Sequence, residues 1–76
     1  MPEPTTKPIY KQIGAAIRNH RKQQGLTVEE LSTHLKLSAS YIGLLERGDR
    51  CPSLKVVYQL CELFDITPND LIAVDN

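Results

Sequence analysis

Apolar residues recur along most of the chain with the period of a helix. From Ile9 to Gln24, the positions Ile9, Ile13, Ala16, Ile17 and His20 fall on an i, i+4, i+7, i+8 stripe, which predicts an amphipathic helix. Pro8 suits the first turn, where its missing N–H costs nothing. Gly25 supplies a left-handed stop. Thr27 then opens a second helix with a capping box to Glu30, and Val28, Leu31, Ser32 and Leu35 make its inner face. Ser38 is the cap of a third helix over 39–47, which Gly48 ends. Asp49-Arg50-Cys51-Pro52 reads as a turn, and Ser53 caps a fourth helix from Leu54 to Phe64. There Leu54, Val56, Val57, Leu60, Cys61, Leu63 and Phe64 cover most of the circumference, the mark of a central helix packed on several sides. Thr67 with Pro68 starts a last short helix through about Val74. No segment alternates with period two, so the fold class is all-α: five short helices.

Leu35-Lys36-Leu37-Ser38 joins two helices through a connection too short for them to run antiparallel. Such a steep turn is the helix-turn-helix unit, whose second helix can enter a DNA major groove. Any small helical bundle also needs tight turns, so the spacing alone leaves function open.

Seventy-six residues make one domain, with total stability on the order of 4–11 kcal/mol. Residues 1–7, polar and Pro-rich, read as a flexible arm ahead of a domain over 8–76, neither a signal peptide nor an anchor. No apolar run is long enough to cross a bilayer. Formal charge is zero but unevenly spread: Lys7, Lys11, Arg18, Arg21 and Lys22 have no acid among them, and Glu62, Asp65, Asp70 and Asp75 close the chain with no base. An anionic partner could approach one side of such a molecule, yet a mixed solvated surface fits the charge equally well. Cys51 and Cys61 are too few for a disulfide framework and read as reduced thiols in a cytoplasmic protein. Neither they nor His20 and His34 have metal-ligand spacing. Gly43-x4-Gly48 lacks the Lys-Ser/Thr and preceding strand of a phosphate loop, and no nucleophile–base pair stands out. An enzyme is not expected, and no cofactor, metal or small-molecule ligand is inferred.

The sequence resembles the phage-repressor/Cro-like, or XRE-type, helix-turn-helix domains. The match is carried by Gly25-Leu26-Thr27-x-Glu29-Glu30-Leu31-Ser32, Leu35-x-Leu37-Ser38, Tyr41-Ile42-x-x-Leu45-Glu46-Arg47-Gly48, Pro52-Ser53-Leu54 and Ile66-Thr67-Pro68-x-Asp70-Leu71, in family order over residues 9–72. The resemblance implies a five-helix repressor-like bundle that regulates transcription on double-stranded DNA. It implies base-facing roles for Ala39, Ser40, Gly43, Leu44 and Arg47 in the recognition helix. Phosphate contacts would come from Thr27, Val28, Lys36, Ser38, Tyr41, Arg50, Ser53 and Lys55. It also implies a buried ion pair between Arg21 and Glu46.

Three departures from the family pattern change the expectation. Val28 stands where relatives usually carry Gln. Lys36 replaces the turn glycine, so the turn is expected to relax rather than accept a left-handed lysine at roughly 1–2 kcal/mol. Positions 39–44 contain no Arg, Asn or Gln, the residues that pair bidentately with guanine or adenine. The leading function is therefore a phage- or mobile-element repressor, or a restriction-modification controller. It would bind a palindromic operator as a homodimer, with thin direct base readout. Leu63, Ile66, Ile72 and Val74 are the candidate dimer patch. A protein-interaction module or antitoxin-like protein on the same fold is the alternative, favoured by the apolar Ala39, Gly43 and Leu44.

Overall fold

The computed structural model describes residues 8–72, which form five α-helices in sequence order: α1 Pro8–Gln23, α2 Val28–Leu35, α3 Ala39–Arg47, α4 Leu54–Phe64 and α5 Pro68–Leu71. No strand occurs among the described residues. The expected arm at 1–7 and the chain after Ile72, including Val74, lie outside them.

Local chemistry sets the helix ends. Thr27 Oγ1 accepts from the Glu30 amide at 3.1 Å while Glu30 Oε1 accepts from the Thr27 amide at 2.8 Å, so the capping box satisfies two donors at once. Ser38 and Ser53 accept from the Tyr41 and Val56 amides at 3.1 and 3.2 Å. Gly25 and Gly48 take the left-handed conformation, at φ 71° and 82°.

Lys36 does so too, at φ 57° and ψ 41°. The turn does not relax, contrary to expectation. The C-terminal carbonyls of α2 explain why: Leu37 N donates to Ser32 O at 2.9 Å and Lys36 N to Thr33 O at 3.3 Å. A left-handed residue closes both bonds, and they offset its local cost.

The core joins Ile13 and Ile17 of α1, Leu31 and Leu35 of α2, Ile42 and Leu45 of α3, most of the inner side of α4, and Leu71. Removal of these side chains from water is the main favourable term in folding. His20 stacks on Phe64 with ring centroids 5.6 Å apart, which ties α1 to the end of α4.

Two expectations about the last helices need correction. α4 is not apolar all round: Val56, Val57, Leu60, Cys61 and Phe64 point inward, whereas Leu54 is 85% exposed. Its position one turn ahead of Tyr58, itself 65% exposed, puts both on the side opposite the core. α5 stops at Leu71 instead of continuing toward Val74. Leu71 is its buried anchor, and Ile72 leaves the helical region with φ −116° and ψ 61°.

Candidate nucleic-acid interface

α3 has two faces with different tasks. Ile42 and Leu45 are buried, and helical geometry puts Ser40, Gly43, Leu44 and Arg47 on the opposite side, with Ala39 at its margin. Ser40 and Arg47 are exposed, while Ala39, Gly43 and Leu44 are half-buried. The five base-facing candidates thus share one outward surface.

That surface is held by the seating of α3 on α1. A Cβ on Gly14 would collide with the Leu45 carbonyl oxygen and lie 2.6 Å from that of Glu46. One on Gly48 would lie 2.8 Å from the Lys11 Cα. Two backbones therefore touch where side chains would normally separate them. Gly14 escaped the sequence reading, although a glycine inside a helix forfeits about 1 kcal/mol relative to alanine. That cost was the available signal that something packs against it.

Beside this contact, Arg21 Nε donates to Glu46 Oε2 at 2.7 Å and Nη2 to Oε1 at 3.1 Å, while Nη1 reaches the Leu26 carbonyl at 2.8 Å. Both side chains are about nine-tenths removed from solvent, at 11% and 8% exposed. Hydrogen bonding to Glu46 raises the Arg21 guanidinium above its ordinary pKa, against the opposing effect of burial. One planar fork thus joins the end of α1, the following loop and the end of α3.

Arg47 is arranged differently. Its Nε donates to Asp49 Oδ2 at 3.2 Å, and the two side chains are 63% and 45% exposed. Its Nη1 lies 3.1 Å from where a Cβ on Gly43 would be. The guanidinium therefore folds back one turn and uses the space that Gly43 leaves open. An exposed pair of this kind contributes little to stability and can exchange partners at low cost.

The phosphate candidates fall into groups. Lys36, Ser38, Tyr41, Ser53 and Lys55 line one open groove between the α2–α3 turn and the start of α4. The first-turn amides of α3 and α4 have no intrahelical acceptor, and with two ammonium groups beside them the groove suits anionic oxygen. Arg50 is exposed in the α3–α4 turn. Thr27 and Val28 stand apart, at the start of α2, where the chain's own Glu30 already fills the carboxylate position. Thr27's backbone and side-chain hydrogen bonds hold the Glu30 carboxyl below the usual range. Of the candidate dimer residues, Leu63, Ile66 and Ile72 are half-buried against the core.

Cys61 is buried and Cys51 exposed; burial pushes the Cys61 thiol up, so it is a poor nucleophile. Among the described residues no group of His, Cys, Asp and Glu could hold a metal ion, and no helix is long and apolar enough to cross a membrane.

Comparison with known proteins agrees with this geometry. Residues 17–71 match the family model described as Helix-turn-helix. The uncharacterized HTH-type transcriptional regulator y4dJ of Sinorhizobium fredii is 31% identical over 64 residues, covering 84% of this chain and 83% of that protein. The restriction-modification controller protein C.AhdI from Aeromonas hydrophila superposes with a TM-score of 0.75 at 35% identity, covering 82% of this chain and 94% of the controller. The clp gene regulator ClgR of Corynebacterium glutamicum gives a TM-score of 0.80 at 26% identity, covering 90% of this chain and 87% of that one.

Proposed function

Because the chain belongs to the XRE-type helix-turn-helix family of DNA-binding transcriptional regulators, we propose that it acts in the cytoplasm as a homodimer on a palindromic operator, in the manner of a phage repressor or restriction-modification controller. The observation that carries this reading is the alignment of an outward α3 face with a groove of lysines and helix amides beside it. Phosphate oxygens would seat in the groove, against Lys36, Lys55, Tyr41 and the caps at Ser38 and Ser53, with Arg50 as a further cation. These contacts set register and most of the affinity but carry no sequence information. Thr27 and Val28 contribute least, since an acid already occupies their helix start.

Base readout rests chiefly on Arg47. Seated over Gly43, its guanidinium is nearer the middle of α3 than its sequence position suggests, and it can pair with both acceptors of a guanine. Asp49 holds it there until a base or phosphate competes. Ser40 can bond a base in either sense, and Ala39 and Leu44 can pack on thymine methyls. Two such surfaces related by a two-fold axis would read half-sites about 34 Å apart.

Selection from pooled random duplexes tests this reading. It should enrich an inverted repeat with a guanine in each half-site. Arg47→Ala should remove the guanine preference and weaken binding by about tenfold or more, as expected for loss of a bidentate contact. Enrichment of a single unrepeated half-site would contradict the dimeric operator, and retention of the guanine in the variant would contradict the role of Arg47.

A further inference from the structure

α4 carries two large apolar side chains that the DNA-facing residues leave unused, with Lys55 standing between them and the phosphate groove. Leu54 and Tyr58, 85% and 65% exposed, are the large hydrophobics left in solvent among the described residues. They stand one turn apart on the same side of one helix. Exposed Glu62 continues that side by a further turn, and exposed Lys55 borders it. The core-facing residues Val56, Val57, Leu60, Cys61 and Phe64 occupy the other side. The result is an apolar stripe with a positive charge at its amino end and negative charges, Glu62 and Asp65, at its carboxyl end.

A face polarised in this way is complementary to itself when reversed. We infer that the bare face of α4 is a docking surface for a second copy of this chain, with the two α4 helices antiparallel about a two-fold axis near Tyr58. This inference rests on the homodimer proposed above and assigns its surface. Lys55 and Glu62 are seven residues apart with Tyr58 close to midway. Antiparallel apposition therefore turns each Lys55 toward the partner's Glu62 and buries Leu54 and Tyr58 of both chains. Parallel apposition would bring like charges together. A two-fold interface demands this kind of self-complementarity, whereas an unrelated acidic or basic partner would be repelled by one end of the stripe.

The assignment moves the dimer surface away from Leu63, Ile66 and Ile72, which the core already half-covers. Size sets the strength. The eleven residues of α4 extend about 16 Å, and one helix face of that length covers less than the roughly 800 Å² per partner of a standard stable interface. Self-association is therefore weak in free solution, and operator half-sites would bring two copies together by raising their effective concentration.

Sedimentation equilibrium of the full chain without DNA, across the micromolar range and with Cys51 kept reduced, tests the surface directly. The wild-type chain should dimerise with increasing concentration. Leu54→Asp and Tyr58→Asp should each raise the dissociation constant by about 100-fold, as buried interface anchors do. Their melting curves should stay close to wild type, because neither side chain belongs to the core. Lys55→Glu or Glu62→Lys alone should weaken association by a few-fold, and the two together should restore it. A wild-type chain that stays monomeric throughout would overturn this surface and leave the homodimer to be formed on the operator by other contacts. A dimer unaffected by either aspartate would overturn the surface and leave the homodimer standing on another. Weakening by both single charge reversals without rescue in the pair would overturn the antiparallel arrangement.

Discussion

The two faces of α3 are built by opposite rules. The inner face is overdetermined: two glycines let backbone touch backbone, and a buried bidentate ion pair ties the helix to α1 and to the loop after it. The outer face is chemically sparse, with two half-buried small residues, one serine, one leucine and an arginine held by an exposed aspartate. Specific contacts are concentrated on the side that positions the helix rather than on the side proposed to read DNA. A rigidly placed helix presents even a thin set of contacts in one register, so precise seating can substitute for chemical richness.

The strongest way to break this contrast is to remove the ion pair. Arg21→Ala leaves Glu46 buried without its partner and should cost about 3–5 kcal/mol, a large share of the stability expected for so small a domain. Denaturant unfolding checks it. Replacing both partners by apolar residues, Arg21→Met with Glu46→Leu, should recover much of that loss, because no charge is then stranded. A single variant of near wild-type stability would show that the pair is ornamental.

Gly14→Ala is the next largest test. Alanine improves helix propensity by about 1 kcal/mol, but its methyl group meets carbonyl oxygens that belong to backbone and cannot swing away. A net loss of about 2 kcal/mol in unfolding free energy is expected, with DNA affinity falling as α3 shifts on α1. A gain in stability would mean that the helices separate without cost.

Acid should act more gently, through the helix caps. Thr27 lowers the carboxyl pKa of Glu30, and Thr67 that of Asp70, by hydrogen bonds to the ionised form. Both contributions are present above the ordinary carboxylate range and are lost as pH falls through the lowered values. The melting temperature should therefore drop below about pH 4, and less steeply in Glu30→Gln with Asp70→Asn. Equal acid slopes in wild type and double variant would remove the caps from the account.

Most of the fold was readable from sequence because periodicity and caps agree along the chain. Thr27, Ser38 and Ser53 cap where expected, and the glycines at 25 and 48 stop their helices. The left-handed Lys36 is not legible in the sequence, because its intrinsic cost is local whereas the two carbonyls that the turn satisfies appear only in the folded helix end. The exposure of Leu54 is not legible either, because apolar content along a helix does not say which side lacks a neighbour; that depends on how the helices are arranged. The placement of the interface followed the same division. Which residues share the outward face of α3 comes from helical geometry and was predictable. That Arg47 lies back across Gly43 depends on Asp49 and on a missing side chain, and no spacing rule encodes it.

In the proposed mechanism phosphate contacts supply most of the affinity while α3 reads little. The most direct measurement is DNA affinity as a function of salt, by fluorescence anisotropy on the selected operator. With Lys36, Arg50 and Lys55 on phosphate in each subunit, and Arg47 as a fourth cation where it meets the backbone, a dimer should give a log-affinity against log-salt slope of about −5 to −7, from roughly −0.9 per phosphate. Arg50→Ala should flatten it by nearly two units, one contact being lost from each half. Binding that is insensitive to salt and to this arginine would contradict the phosphate-led mechanism and favour a protein partner for the same fold.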